Sequence, residues 1–274
     1  MFRSRYLLLL AGALLCGPVL AQSTSDATQA PHNVRAIKNP FAGMIQFPLE
    51  FDSSRPIGTY SRTQSQFSLG PIIPFPLGSK WDLITQTSIS VGSQPDLMSP
   101  HGAIWRLSDM TTRLYFSPDN RRFFQWGIGP TFLFPAASGP EAGSGKWGVG
   151  PTGAVFVEPG NWTLGVQLSD LRSIAGDRNR PDVHYASLQY HVTYNLAKGW
   201  YVTSAPETVA DWTAPPEDRW LMPIGLGVGK AVTLGKYQAN VEMDGYYNLV
   251  HPTTLPYPKW VLTFQFTFAR RNFL

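Results

Sequence analysis

The chain is predicted to be all-β: a closed antiparallel transmembrane β-barrel of about twelve strands, with both termini on the periplasmic side. Three observations predict it. Apolar residues recur at every second position in short stretches, nearly every Trp stands at the end of such a stretch, and 24 Pro and 25 Gly punctuate the chain between them. Alternation of this kind fits a wall with lipid on one face and an enclosed lumen on the other. An indole favours the bilayer interface because its ring is apolar and its N–H wants water, so Trp at strand ends builds two aromatic girdles. Trp81, Trp126, Trp147, Trp162, Trp200, Trp220 and Trp260 open such stretches, Trp212 closes one and Trp105 lies just before one. The competing arrangement is a soluble β-sandwich with Trp scattered through its core.

Residues 1-21 carry Arg3 and Arg5, an apolar run from Leu7 to Leu15, and Val19-Leu20-Ala21 before a polar segment. This is the pattern of a secretory signal peptide cleaved after Ala21. The run is too short to span a bilayer as a helix, and no later run approaches the ~20 residues needed. Cys16, the only cysteine, lies within the signal, so neither disulfide nor thiol chemistry is expected of the mature chain. Without Arg3 and Arg5, 20 Lys and Arg face 18 Asp and Glu, a net charge of +2. That balance offers no basic patch for nucleic acid. Residues 22-38 read as a polar, mobile extension, and 39-274 as the barrel.

Twelve segments follow, near 41-51, 63-75, 80-91, 107-117, 123-134, 147-157, 161-171, 184-195, 200-211, 219-230, 236-249 and 259-269. The first contains Pro48, the second Pro71 and Pro74, and the ninth Pro206, each removing a ladder donor. A count of ten is the main competitor. In the third segment Trp81, Leu83, Ile89 and Val91 face lipid opposite Asp82, Gln86, Ser88 and Ser90. The fifth sets Phe124, Trp126, Ile128, Phe132 and Phe134 against Gln125, Gly127, Gly129 and Thr131. In the seventh, Trp162, Leu164, Val166 and Leu168 alternate with Thr163, Gly165, Gln167 and Ser169. The eighth places Leu188, Tyr190, Val192 and Tyr194 outward, and the last has Trp260, Leu262, Phe264, Phe266 and Phe268 facing lipid. Connections after even-numbered segments are mostly compact, whereas those after odd-numbered ones are longer and rich in Pro, Gly and charge. Outer-membrane barrels show this asymmetry, with tight periplasmic turns and larger external loops.

The motifs WGIGPTFLFPAA at 126-137, GSGKWGVGPTGA at 143-154, AGDRNRPDV at 175-183, YNLAKGWYVTSAP at 194-206 and DRWLMPIGLGVGK at 218-230 carry a resemblance. Together they resemble a group of bacterial outer-membrane proteins often mislabelled "neuromedin U", similar to the transporter family associated with meta-pathway phenol degradation. The resemblance runs from about Asn39 to Phe268. It implies an outer-membrane barrel passing small solutes, aromatic or hydrophobic compounds among them, and it carries over no catalytic residues. Many barrels end on a Phe read by the insertion machinery; here Phe268 or the Phe273-Leu274 pair has to serve.

Followed inward, the parity delivers Asp82, Asp109, Arg113, His191, Glu207, Asp211, Glu242 and Asp244 to the lumen. A charge on the lipid face costs several kcal/mol, so these positions support the register and predict a hydrated interior. Two readings stand. Arg113 and the carboxylates form a polar constriction that biases which solutes pass, or the charges form an ion-pair network that plugs a narrow barrel. GSGK at 143-146 lacks the Gly and the Ser/Thr of a phosphate-binding loop, since Pro140 and Trp147 occupy those places. His191 and Thr193 lie two residues apart as in hydrolytic barrels, but no partner carboxylate is evident. Asp177, Arg178, Arg180 and Asp182 cluster in one external loop that could meet a cation or lipopolysaccharide phosphates, with internal ion pairs as the default.

The expectation is therefore a passive outer-membrane channel or transporter, non-enzymatic and without cofactor or metal. Its expected partners are outer-membrane lipid, lipopolysaccharide, the barrel-insertion machinery and a small-molecule solute, with no nucleic acid. The rivals are an outer-membrane lipid-modifying enzyme acting through His191 and a structural or adhesive barrel with a filled lumen.

Overall fold

A computed structural model of the chain describes residues 34–58, 60–96, 101–118, 123–254 and 257–271. The signal-peptide reading, most of the extension and the Phe273-Leu274 alternative lie outside them. Fifteen strands form one sheet: β1 (Met44–Ile57), β2 (Arg62–Leu69), β3 (Ile72–Leu77), β4 (Trp81–Pro95), β5 (Ala103–Leu107), β6 (Met110–Pro118), β7 (Phe124–Phe134), β8 (Lys146–Val157), β9 (Trp162–Gly176), β10 (His184–Asn195), β11 (Trp200–Ser204), β12 (Glu207–Asp211), β13 (Trp220–Leu234), β14 (Tyr237–Val250) and β15 (Trp260–Arg271). β4 pairs with both β5 and β6, β1 with both β2 and β3, and β10 with both β11 and β12. Each of those pairs is one broken stave, so the described residues form a barrel of twelve staves, and the count of ten is excluded.

Two breaks fall at prolines. Gly70-Pro71 separates β2 from β3 and Ala205-Pro206 separates β11 from β12, where a residue without an N–H interrupts the ladder. The Pro71 carbonyl still accepts from Thr87 N at 3.0 Å, so the stave bends without leaving the wall. Closure is made by β15 against β1, antiparallel from Met44↔Arg271 to Arg55↔Trp260. A sheet closed in this way leaves no edge of unpaired backbone toward lipid. Among the described residues no helix is long and apolar enough to cross a membrane, and the crossing is made by strands.

The outer face carries the apolar parity. Leu49, Phe67, Ile128, Leu168, Leu226 and Phe264 are all exposed, as a lipid-facing belt requires. Trp81, Trp126, Trp162 and Trp200 lie at the end with short turns, and Trp105, Trp147, Trp212, Trp220 and Trp260 at the end with the longer loops. Neighbours in each girdle touch: Trp81 and Trp126 meet edge to face at 6.3 Å, as do Trp212 and Trp220 at 5.8 Å. The turns at 78–80, 158–161, 196–199 and 235–236 are tight, whereas 135–145, 212–219 and 251–259 are long, so the short-turn end corresponds to the periplasmic side.

The extension differs from its sequence reading at its last residues. Residues 34–38 form a single helical turn that enters the lumen at the short-turn end. Val34 and Ile37 are buried against Met44, Tyr201, Ala231 and Ala269, and Phe41 against Tyr115 and Phe156. The polar composition of 22-38 hid this because only a few apolar side chains do the packing.

Candidate functional site

The site is the lumen, and the inserted segment defines its lower limit. Asn39 Nδ2 donates to Gln125 Oε1 at 2.5 Å and to Glu158 Oε1 at 2.8 Å, while Gln46 Nε2 reaches the Ala36 carbonyl at 3.2 Å. The Phe41 ring meets Tyr115 and Phe156 edge-on, with centroids 5.7 and 5.9 Å away. The wall is cut back to receive it: a Cβ on Gly127 would lie 2.6 Å from the Phe41 ring. Lys38 completes the attachment, its ammonium bonded to Glu242 and 5.1 Å from the Tyr201 ring centroid.

Beyond the plug, Arg113 Nη2 donates to Glu207 Oε1 at 3.0 Å. Arg113 is on the fourth stave and Glu207 on the ninth, so this pair is a bar across the interior. It divides the lumen into unequal halves. On the β7–β10 side Phe156 packs against the His191 ring at 5.1 Å, Ser169 shares a hydrogen bond with Ser187, and Thr152 Oγ1 bonds the Leu168 carbonyl and Tyr115. Those side chains fill the space. A cavity of about 740 Å³ remains, mainly on the other side but bordered also by Gln167, Gln189 and His191, and it runs from Ile37 and Lys38 of the plug to Tyr257 and Pro258 of the loop at 251–259.

Five of the eight residues expected in the lumen line that cavity: Arg113, His191, Glu207, Glu242 and Asp244. The other three lie elsewhere. Asp109 sits at the β5–β6 break and accepts from Ala137 N, Ser144 N and Ser144 Oγ, pinning the loop at 135–145. Asp211 ends β12 and accepts from Thr213 N and Oγ1 at 2.9 and 2.6 Å. Asp82 is half-buried, opposite Ser117 near the short-turn end. Inward parity holds along a whole stave, but residues at the rims meet turns and loops instead of the cavity.

Glu50 and Asp52 line the cavity and were missed. Their signal was present, since the exposed Phe47 and Leu49 alternate with Gln46, Pro48 and Glu50 on β1. His191 and Thr193 do not form a hydrolytic pair. His191 Nε2 has no hydrogen-bond partner, and Thr193 Oγ1 is shared with Thr203 Oγ1 at 2.8 Å.

The loops are tied to one another. Arg180 Nη2 donates to the carbonyls of Pro140 and Gly143, and Lys146 Nζ to Asp182 at 3.0 Å. The Lys146 hydrogen bond and charge hold the Asp182 carboxyl below its ordinary range. Asp218 accepts from Thr254 Oγ1, from Thr253 N at 2.7 Å and from Thr254 N at 3.1 Å, so its carboxyl is also depressed, with the Thr254 hydroxyl the largest cause. These contacts fasten 216–218 to the loop at 251–259 that covers one end of the cavity. Burial pushes the Tyr257 hydroxyl upward in the same loop, keeping it neutral.

A closed twelve-stave wall, two Trp girdles and a polar interior define a bacterial outer-membrane β-barrel. No family model and no curated protein matches the chain. Among solved structures it is similar to an outer membrane channel from Pseudomonas putida, at 12% identity over 83% of this chain and 95% of that one, with a TM-score of 0.61. It is also similar to the translocator domain of the autotransporter NalP from Neisseria meningitidis (10%, 90% and 97%, TM-score 0.48) and to outer membrane phospholipase A from Escherichia coli (12%, 83% and 93%, TM-score 0.44). At these identities the likeness concerns fold alone, and only the first is close enough to bear on it.

Proposed function

We propose that the protein is a passive outer-membrane channel for small hydrated solutes. The observation that carries this reading is the cavity, which is continuous from the plug to the loop at 251–259. The carboxylates, amides and hydroxyls in its lining, beside apolar Ile37, Ile72, Leu221 and Val261, keep the path wet and suit solutes that carry water. The likeness to an outer membrane channel and the resemblance to the meta-pathway associated transporter family support the same class. No energy source is required, because solute would follow its gradient. Lipid and lipopolysaccharide would contact the belt and the loop clasp, and the insertion machinery would read a C-terminal aromatic residue.

The test is solute flux into vesicles containing the folded protein, comparing glucose with a small aromatic acid. Flux of either above protein-free vesicles is the expected result; absence of both removes the channel. A lipid-modifying enzyme would instead lose activity on His191→Ala. The partnerless imidazole nitrogen and the engaged Thr193 hydroxyl give that alternative no support.

A further inference from the structure

We propose that the acidic wall of the lumen is a binding site for amine-bearing solutes, one position of which is filled by the chain's own Lys38. The inference deepens the channel reading by naming the chemistry of the solute, and rests on it only for how the solute arrives.

Register builds the wall. β1, β15 and β14 are adjacent, and Glu50 and Glu242 both pair with Gln265, while Asp52 and Asp244 both pair with Thr263. The four backbone positions therefore stand in two rungs about 7 Å apart along the strands, with about 10 Å between their columns. Within each column the carboxyl groups lean together, Glu50 hydrogen-bonded to Asp52 and Glu242 to Asp244. All four line the cavity. Hydroxyls supply part of what they need: Thr263 donates to Asp52 at 2.5 Å, Tyr246 to Asp244 at 3.4 Å, and Tyr201 to Glu242. Cations are scarcer. Arg113 is held by Glu207, and Lys38 touches only one of the four. Among the described residues no three acidic or imidazole groups converge to hold a metal ion. The face is spread out, which suits an organic ammonium better than a chelated metal.

Two further observations point to such a ligand. The Lys38 ammonium is itself an amine seated on a carboxylate and beside an aromatic ring, the composition that recognises ammonium groups. It hangs on a flexible stem from a segment outside the wall, so a solute amine can take its place or bind at the Glu50 and Asp52 column, which Lys38 does not reach. Across the same cavity, Gln167 has a side chain only 5% exposed, and its Oε1 accepts no hydrogen bond. A buried acceptor left in this way calls for an N–H donor. A short diamine meets the wall, with one ammonium on each acidic column, and a dicarboxylate meets none of it.

The test is calorimetric titration of the full folded protein in detergent with putrescine and with succinate. Putrescine should bind and succinate should not. Asp244→Asn and Glu242→Gln should each weaken putrescine by about tenfold or more, and Lys38→Met should tighten it several-fold. Because Glu242 also anchors the plug, Asp52→Asn, which leaves the plug contacts intact, is included and should weaken binding in the same direction. No putrescine binding to either wild type or Lys38→Met, or binding unmoved by Asp244→Asn and Asp52→Asn, overturns the proposal. Vesicle flux without putrescine binding sinks this site and leaves the channel standing, whereas putrescine binding without flux does the reverse.

Discussion

Arg113 and Glu207, 94 residues apart in the chain, meet at 3.0 Å in the middle of the barrel. Neither belongs to a stave next to the other's, so only closure of the sheet brings them together. One ion pair bridges the lumen, and the carboxylates of β1 and β14 remain outside that pair along the cavity.

Replacing Arg113 with Ala should widen the passage and remove a fixed positive charge from its side. In a salt gradient across a planar bilayer, the reversal potential of Arg113→Ala should move toward cation selectivity and its conductance should rise. An unchanged reversal potential would count against the place of Arg113 in the passage. A double-mutant cycle with Glu207→Ala should return a coupling energy on the order of 1 kcal/mol.

The plug should be separable from the wall. Phe41→Ala removes a ring packed between Tyr115 and Phe156, a truncation worth about 3 kcal/mol or more in a tight core, here charged mainly against docking of residues 34–43. Gly127→Val reaches the same end from the wall side, because its new atoms would strike Phe41. Both variants should show faster amide exchange over residues 34–43 with the strand amides unaffected, and equal protection in all three proteins would mean that the plug does not depend on this contact.

Lipid exposure can be weighed directly. Leu226, on β13, is 67% exposed on the outer face, and Leu226→Arg near mid-depth should cost about 2 to 4 kcal/mol in urea unfolding from phospholipid vesicles. Gln265→Arg, on the lumen side of β15 between Glu50 and Glu242, should cost far less. Equal costs would contradict the assignment of faces.

The clasp between 216–218 and the loop at 251–259 should survive mild acid. A carboxyl whose folded value is depressed contributes stability above the unfolded range, and loses it as pH falls through the folded value. Asp218 is such a group, so the amide signals of Thr253 and Thr254 in micelles should stay constant through neutral pH and titrate only below the ordinary Asp range. A midpoint at or above that range would remove the proposed cause.

Most of the wall was legible because alternation has a period of two and each Trp marks an end. Even the doubtful prolines told something: Pro71 and Pro206 break their staves, while Pro48 sits within an unbroken β1. The interior was legible only in part. Parity assigns a face but not a depth, so Asp109 and Asp211 were grouped with Glu242 although loops engage them. Glu50 obeyed the rule and was passed over in a segment weakened by Pro48, and Asp52 lay just past the end predicted for that segment. The plug was not legible, because Val34, Ile37 and Phe41 are too few to show a period and their partners lie on distant staves. Nor was the Arg113–Glu207 bar, which exists only once the barrel closes.

The central claim is that the space beside this bar conducts. Planar-bilayer recording of the full folded chain beside Phe41→Ala tests it most directly. Discrete steps that favour cations, and larger ones in Phe41→Ala, are predicted; silence from both proteins after verified insertion would contradict the account.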